Sequence, residues 1–295
     1  MAAVAEAPGA PVVEESFAAK IGRYAAKAPV HLVLAAIGLL WLIPTLGLLL
    51  TSLMSPADFN QVGWWKIISK PSITTWKNYD ELLSNNTITD SLLTTVYIAV
   101  GSTLLPILIA AMAAYAFAWL EFPGRDWLFL VVIALLVVPL QMALIPIFRL
   151  YNQMGIFDTV LSLILFHTAF GLPFAIFLLR NFFIGIPRDI LESARIDGAS
   201  EFRIFFRLIL PLGLPAIASL AIFQFLWTWN DLLVALTFGR DTKPITVAIF
   251  NQLTEFGNNI EIIAPASFVS LALPIVVFFA FQRYFVQGLL AGSVK

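Results

Sequence analysis

The sequence predicts an all-α, polytopic membrane protein with six transmembrane helices. Three observations lead there. Of 295 residues, 60% are hydrophobic and only 12% are charged, against about 25% charged in a soluble domain, so much of the surface must face something other than water. Six stretches lack Asp, Glu, Lys and Arg over 21 or more residues: 28–57, 91–120, 127–148, 159–179, 208–230 and 262–282. Each is long enough to cross a hydrocarbon core of about 30 Å as a helix, which takes about 20 residues. Finally, these runs are continuously apolar, without the alternation that a membrane β-strand would show.

Taken in order, the first run follows Lys20, Arg23 and Lys27 as a signal peptide would. Its apolar part, Leu32 to Leu50, exceeds the usual run of about 7–15 residues, and Thr51-Ser52-Leu53-Met54 is a poor cleavage site, so it is expected to remain as the first helix. Residues 1–27 form an N-terminal tail, and 28–295 a single transmembrane domain. Loop 58–90 carries Trp64, Trp65 and Trp76, suited to the headgroup level or to a docking surface. The short loops 121–126 and 149–158 make the second, third and fourth helices neighbours. Prolines interrupt several spans, among them Pro106, Pro139, Pro211, Pro215 and Pro274; a packed bundle tolerates them where neighbours satisfy the freed carbonyls. Runs 244–254 and 284–294 are charge-free but too short to span.

An even number of spans puts both termini on one side. The other side holds Lys66, Lys70, Lys77, Arg149, Arg240 and Lys243, leaving 11 of the 17 basic residues with the termini. The positive-inside rule makes that side cytoplasmic. The chain is expected in the bacterial inner membrane, as a multi-pass protein in contact with the lipid bilayer. The net charge of −1 points to no nucleic-acid partner. The absence of cysteine excludes disulfides, thiolate metal sites and cysteine nucleophiles. His31 and His167 stand too far apart for a ligand pair and read as structural. No catalytic constellation, metal site or cofactor motif is found, so the protein is not expected to be an enzyme.

Segment 180–207 is the exception to this apolar pattern. It holds five of the 17 basic residues with Asp189, Glu192, Asp197 and Glu201. Pro187 can open a helix, and 188–197 then reads as a short amphipathic helix with Ile190, Leu191 and Ala194 on its apolar stripe. Gly198 stands at a left-handed C-terminal cap, and Ser200 at the N-cap of a second helix running through Phe202, Phe205 and Phe206. The outcome is either a rigid knob for an aqueous partner or an ordinary capped loop.

The run Glu192-Ser193-Ala194-Arg195-Ile196-Asp197-Gly198, followed by Leu208-Ile209-Leu210-Pro211, resembles the EAA loop of ABC importer permeases, with Ser193 and Leu208 as small departures. Val137-Val138-Pro139-Leu140-Gln141, Leu172-Pro173-Phe174, Trp229-Asn230-Asp231 and the ending Gly288 to Lys295 are similar to maltose-type carbohydrate permeases, specifically to the smaller, six-helix subunit. That resemblance implies a type I ABC importer permease fold and one half of a pathway for a di- or oligosaccharide, with an α-glucoside as one candidate. It implies as partners a second permease subunit, two ATPase subunits that bind the ATP, and an extracytoplasmic sugar-binding protein. The coupling loop would span about 187–211, with Glu192, Ala194, Asp197, Gly198, Leu210 and Pro211 facing or shaping the ATPase contact. Gly288, Gly292 and Lys295 would form a C-terminal ATPase contact. Trp227, Trp229, Asn230 and Asp231 are candidates for touching sugar, or else anchor and end their helix. No phosphate-cradling G-x-x-x-x-G-K-[ST] run occurs, so ATP binding by this chain is not expected. The alternatives are a permease for a phosphate ester or polyamine, and, from other classes, an ion-coupled secondary transporter or a membrane scaffold.

Overall fold

The computed structural model describes residues 17–254 and 259–291, with side chains for 28–59, 61–253 and 259–283. Helix α1 (Phe17–Ser52) begins ahead of the expected boundary at 28 and packs chiefly along the last helix. A small cap follows, built from α2 (Pro56–Gln61), α3 (Lys66–Ser69), a 3₁₀ turn (Pro71–Ile73) and α4 (Lys77–Ser84). Met54, Ile67 and Ile73 give it a core. Asn78 ties it to the membrane helix, its buried amide donating to the carbonyls of Ser52 (2.9 Å) and Met54 (2.7 Å).

Helix α5 (Asn86–Trp119) starts at Asn85, whose side chain accepts from the Ile88 N–H and so satisfies one of the unpaired donors of the first turn. It lies against α8 (Val160–Ile184) over much of its length. Ala110, Ala111 and Ala114 are buried in this contact; small residues let two backbones approach closely where hydrocarbon provides no hydrophobic drive. Between them come α6 (Arg125–Leu135) and α7 (Leu140–Met154), which meet at 99°. The third apolar run is therefore not one straight helix. Pro139 is extended (φ −64°, ψ 129°), and a proline pushes the residue before it, Val138, out of the helical region.

After α8 come α9 (Arg188–Ile196), α10 (Glu201–Ile204), a π-turn (Phe205–Ile209), α11 (Leu210–Leu212) and α12 (Leu214–Trp229). The segment Glu201–Leu212 bends by 71° into α12 at Gly213. Pro211 and Pro215 each remove a helical donor there. The Phe183 ring lies so close to Gly213 that a Cβ would meet it at 2.6 Å. The described residues end with α13 (Leu233–Phe238), α14 (Ile245–Thr254) and α15 (Ile260–Ala291). Run 244–254 thus forms a short, partly buried helix and no span, as its length requires.

Among the described residues, four helices are long and apolar enough to cross a membrane, and with each bent pair taken as one span the count reaches the expected six. The second, third and fourth spans are neighbours: α6 packs on both α5 and α8. Helices α5 and α8 sit at the centre, with α12 laid across both. At the end where α9 lies, a core of Tyr115, Leu179, Phe183, Leu191, Ile204 and Ile209 joins the bundle to the segment after α8.

Candidate functional site: the knob after the fourth span

Residues 187–204 fold as two short helices joined at a glycine. Helix α9 is held by one side chain in particular: Leu191 is fully buried in the core at this end of the bundle, with Ala194 packed beside it. Ile190, expected on the same stripe, is instead exposed at the helix edge. Adjacent residues lie about 100° apart on a helix, so seating Leu191 deeply turns its neighbour outward. Pro187 occupies the N-cap position, and the helix proper begins at Arg188, as expected.

Gly198 has φ +76°, as its expected role as a left-handed cap requires. The Gly198 N–H donates to Arg195 O (3.0 Å) and the Ala199 N–H to Ala194 O (3.0 Å). This paired closure satisfies two of the last carbonyls of α9. Ser200 holds the N-cap position of α10 with extended backbone, but its hydroxyl makes no capping bond; the cap is positional only. The face turned away from the bundle shows Glu192, Ser193, Ile196, Asp197 and Gly198. Glu192 pairs along the helix with Arg188 (3.2 Å) while both remain open to solvent.

Two features of the knob were not legible as site features in the sequence. Ile196 is 86% exposed and Phe202 76% exposed, which puts two large apolar side chains beside the charges of the knob. Glu201 accepts hydrogen bonds from the Tyr115 hydroxyl of α5 and from Arg195 (Nε to Oε1, 3.0 Å). This bonding to Glu201 holds the Arg195 guanidinium above its usual pKa. The signal for both lay in residue types, exposed Ile and Phe beside charges and one buried-face tyrosine, but their positions depend on the turn at Gly198. Leu210 and Pro211 lie apart from the knob surface. They occupy α11, where Leu210 packs on the core and Pro211 stands at the 71° bend.

The four residues proposed to meet sugar separate. Trp229 is buried (1% exposed), its indole N–H donates to Ser270 O (2.9 Å), and its ring stacks on Phe225. It fastens α12 to α15 and offers no face to a ligand, which corrects the expectation of a contact there. Asn230 is exposed and donates to Leu226 O (2.8 Å), ending α12. Asp231 accepts from the N–H groups of Val234 (3.3 Å) and Ala235 (2.9 Å) and so starts α13; its carboxylate also lies 3.7 Å from His167 Nε2. Trp227 is 39% exposed and meets His167 edge-on. Of the four, Trp227 and Asn230 present surface. Gly288 falls within α15, and Gly292 and Lys295 lie outside the described residues.

Residues 106–290, which include the second part of α5, all of α8 and the whole knob, match the family described as "binding-protein-dependent transport system inner membrane component". The chain belongs to this family. It is therefore a multi-pass inner membrane component of a binding-protein-dependent transport system. Among relatives of this permease family, it is 55% identical over 233 residues to an alpha-glucoside transport system permease protein (AglG) of Rhizobium meliloti, covering 76% of this chain and 61% of that one. It is 46% identical over 275 residues to an osmoprotective compounds uptake permease protein (GgtD) of a Synechocystis species, covering 91% and 92%. Its fold is that of a chain in the crystal structure of a bacterial ABC transporter that imports the acidic polysaccharide alginate, with a TM-score of 0.71 at 19% identity, over 92% of this chain and 99% of that chain. The type I ABC importer permease fold expected from the sequence is the fold found.

Proposed function

We propose that this chain is one permease subunit of an ABC importer for a di- or oligosaccharide, with α-glucosides as the preferred class. A second permease subunit completes the pathway, two ATPase subunits bind and hydrolyse ATP, and an extracytoplasmic sugar-binding protein delivers the substrate. The knob faces the cytoplasm together with both termini, in keeping with the distribution of lysine and arginine.

The observation that carries the coupling role is the knob itself. Its buried Leu191 and closed Gly198 turn make it a rigid body, and a rigid element can pass on a displacement that a loose loop would absorb. Glu192, Asp197, Ile196 and Phe202 supply charges and apolar side chains for an ATPase cleft; Ala194 and Gly198 hold the shape; Leu210 and Pro211 set the bend through which the knob joins α12. The sugar assignment is supported by the 55% identity to an alpha-glucoside permease.

The likeness to the osmoprotective-compound permease favours a second reading, in which the cargo is a compatible solute. Both are tested by assembling the complex with its binding protein and measuring ATP hydrolysis with maltose, sucrose, trehalose, cellobiose, glycine betaine, glycerol phosphate and spermidine. Stimulation by maltose is expected; sucrose and trehalose are both α-glucosides and compatible solutes, so they do not separate the two readings. Stimulation by glycine betaine alone would favour the second reading, and by glycerol phosphate or spermidine alone would overturn both.

A further inference from the structure

The backbone route from the knob to the membrane helices is kinked. It passes through the π-turn at Phe205–Ile209 and then the 71° bend at Gly213 before reaching α12. Single π-turns and proline-flanked bends are the places where a helix yields. A push on the knob along this route would be spent partly on changing the bend.

A second, lateral route is present. The last turn of any helix leaves carbonyl groups without partners, and their aligned dipoles favour a cation. At the end of α5 those carbonyls are met by two arginines. Arg180 of α8 donates to Phe117 O (3.4 Å) and lies over the Phe129 ring of α6 (3.9 Å). Arg195 of the knob donates to Trp119 O (3.4 Å). The Arg195 guanidinium is at the same time forked onto Glu201, with Nε and a terminal nitrogen on the two carboxylate oxygens (3.0 and 3.4 Å). Two parallel bonds to a planar carboxylate fix orientation as well as distance. The third side of this trio comes from within α5: Tyr115, only 4% exposed, donates its hydroxyl to Glu201, and its ring lies 5.4 Å from that of Phe205. Both halves of the knob, α9 through Arg195 and α10 through Glu201, are thus bolted to the last two turns of α5.

We infer that Tyr115, Glu201 and Arg195 form a strut that carries ATP-driven displacement of the knob sideways into α5. They act as positioning residues, and α5 distributes the motion because it packs on α8, α12 and α14. The inference rests on the coupling role proposed above for the knob.

The chain contains no cysteine, so spin labels can be placed at will. Leu93→Cys puts one on an exposed position of α5, and Leu39→Cys puts the other on α1, which packs chiefly on α15. The distance between them is measured by electron-spin double resonance in the full complex, without nucleotide and trapped with ATP and vanadate. In the otherwise unaltered chain the trapped state shifts the distance. Tyr115→Phe removes one oxygen and keeps the ring, and Glu201→Gln removes the charge and keeps the shape; each captures the ATPase as before and loses the shift. The same shift in both variants, or no shift in the unaltered chain, overturns the strut. Loss of ATPase capture by both variants overturns it too, since the trio would then only shape the docking surface. Failure of the unaltered chain to capture ATPase refutes the coupling role and with it the strut, and is seen before any distance is measured.

Discussion

Gly198 gives the sharpest test of the knob, because its φ and its surroundings pull apart two explanations of one phenotype. The residue sits at φ +76°, and a Cβ built on it meets nothing within 4 Å. Substitution therefore costs no collision within this chain; the cost is the backbone conformation alone. A side chain in the left-handed region costs about 1–2 kcal/mol, which lowers the population of the closed turn by a factor of roughly 5–30. Asn tolerates that region, and β-branched residues tolerate it least. The expected order of coupling is thus Gly198→Asn near the unaltered chain, Gly198→Ala lower and Gly198→Val lowest, with all three inserting the same spans. Co-purification of the ATPase and sugar uptake are measured from the same membranes, with membrane expression as the control. If Asn is as damaging as Val, the partner requires a bare surface at 198 and the conformational argument is wrong. If Val is harmless, the turn does not position the knob.

Four further outcomes are expected. Gly213→Ala places a Cβ 2.6 Å from Phe183 and 3.0 Å from Ile209 O, so overpacking should destabilise the chain by about 1–3 kcal/mol, read as a drop in thermal unfolding temperature in detergent; an unchanged temperature would mean the bend opens freely. Glu192→Ala breaks only an exposed helical pair with Arg188, worth about 0.3–0.5 kcal/mol; stability should hold while transport falls, and equal losses in both would remove Glu192 from the ATPase contact. Trp229→Ala should cost about 3–5 kcal/mol as a core truncation, whereas Trp227→Ala should leave unfolding nearly unchanged; similar unfolding for the two variants would contradict the burial that separates them. A single cysteine at Ser200 should react with an impermeant maleimide only after the inner face of the membrane is opened, and labelling of intact spheroplasts would invert the proposed orientation.

Much of this protein was legible from the positions of its charges. Excluding Asp, Glu, Lys and Arg from a hydrocarbon layer is a strong constraint that acts residue by residue, so the six crossings could be located without knowing which helix touches which. The left-handed turn at Gly198 was legible for a similar reason: the conformation is set by local sterics, and glycine is the residue that adopts it freely. What the sequence could not determine was direction within each element. The 99° break near Pro139 and the 71° bend at Gly213 depend on which neighbour fills the space beside the proline, because a bilayer bundle can also keep a proline inside a continuous helix, as α5 keeps Pro106. Trp229 read as a surface aromatic because a tryptophan at a helix end usually lies at the interface; only the approach of α15, bringing Ser270 O to its indole N–H, makes it a core residue. The same holds for Tyr115 and Glu201, which are 86 residues apart in the chain. Apolarity and backbone sterics are properties of single residues and short windows, and the sequence states them outright, whereas a hydrogen bond between distant side chains exists only once the packing of intervening helices has brought them together.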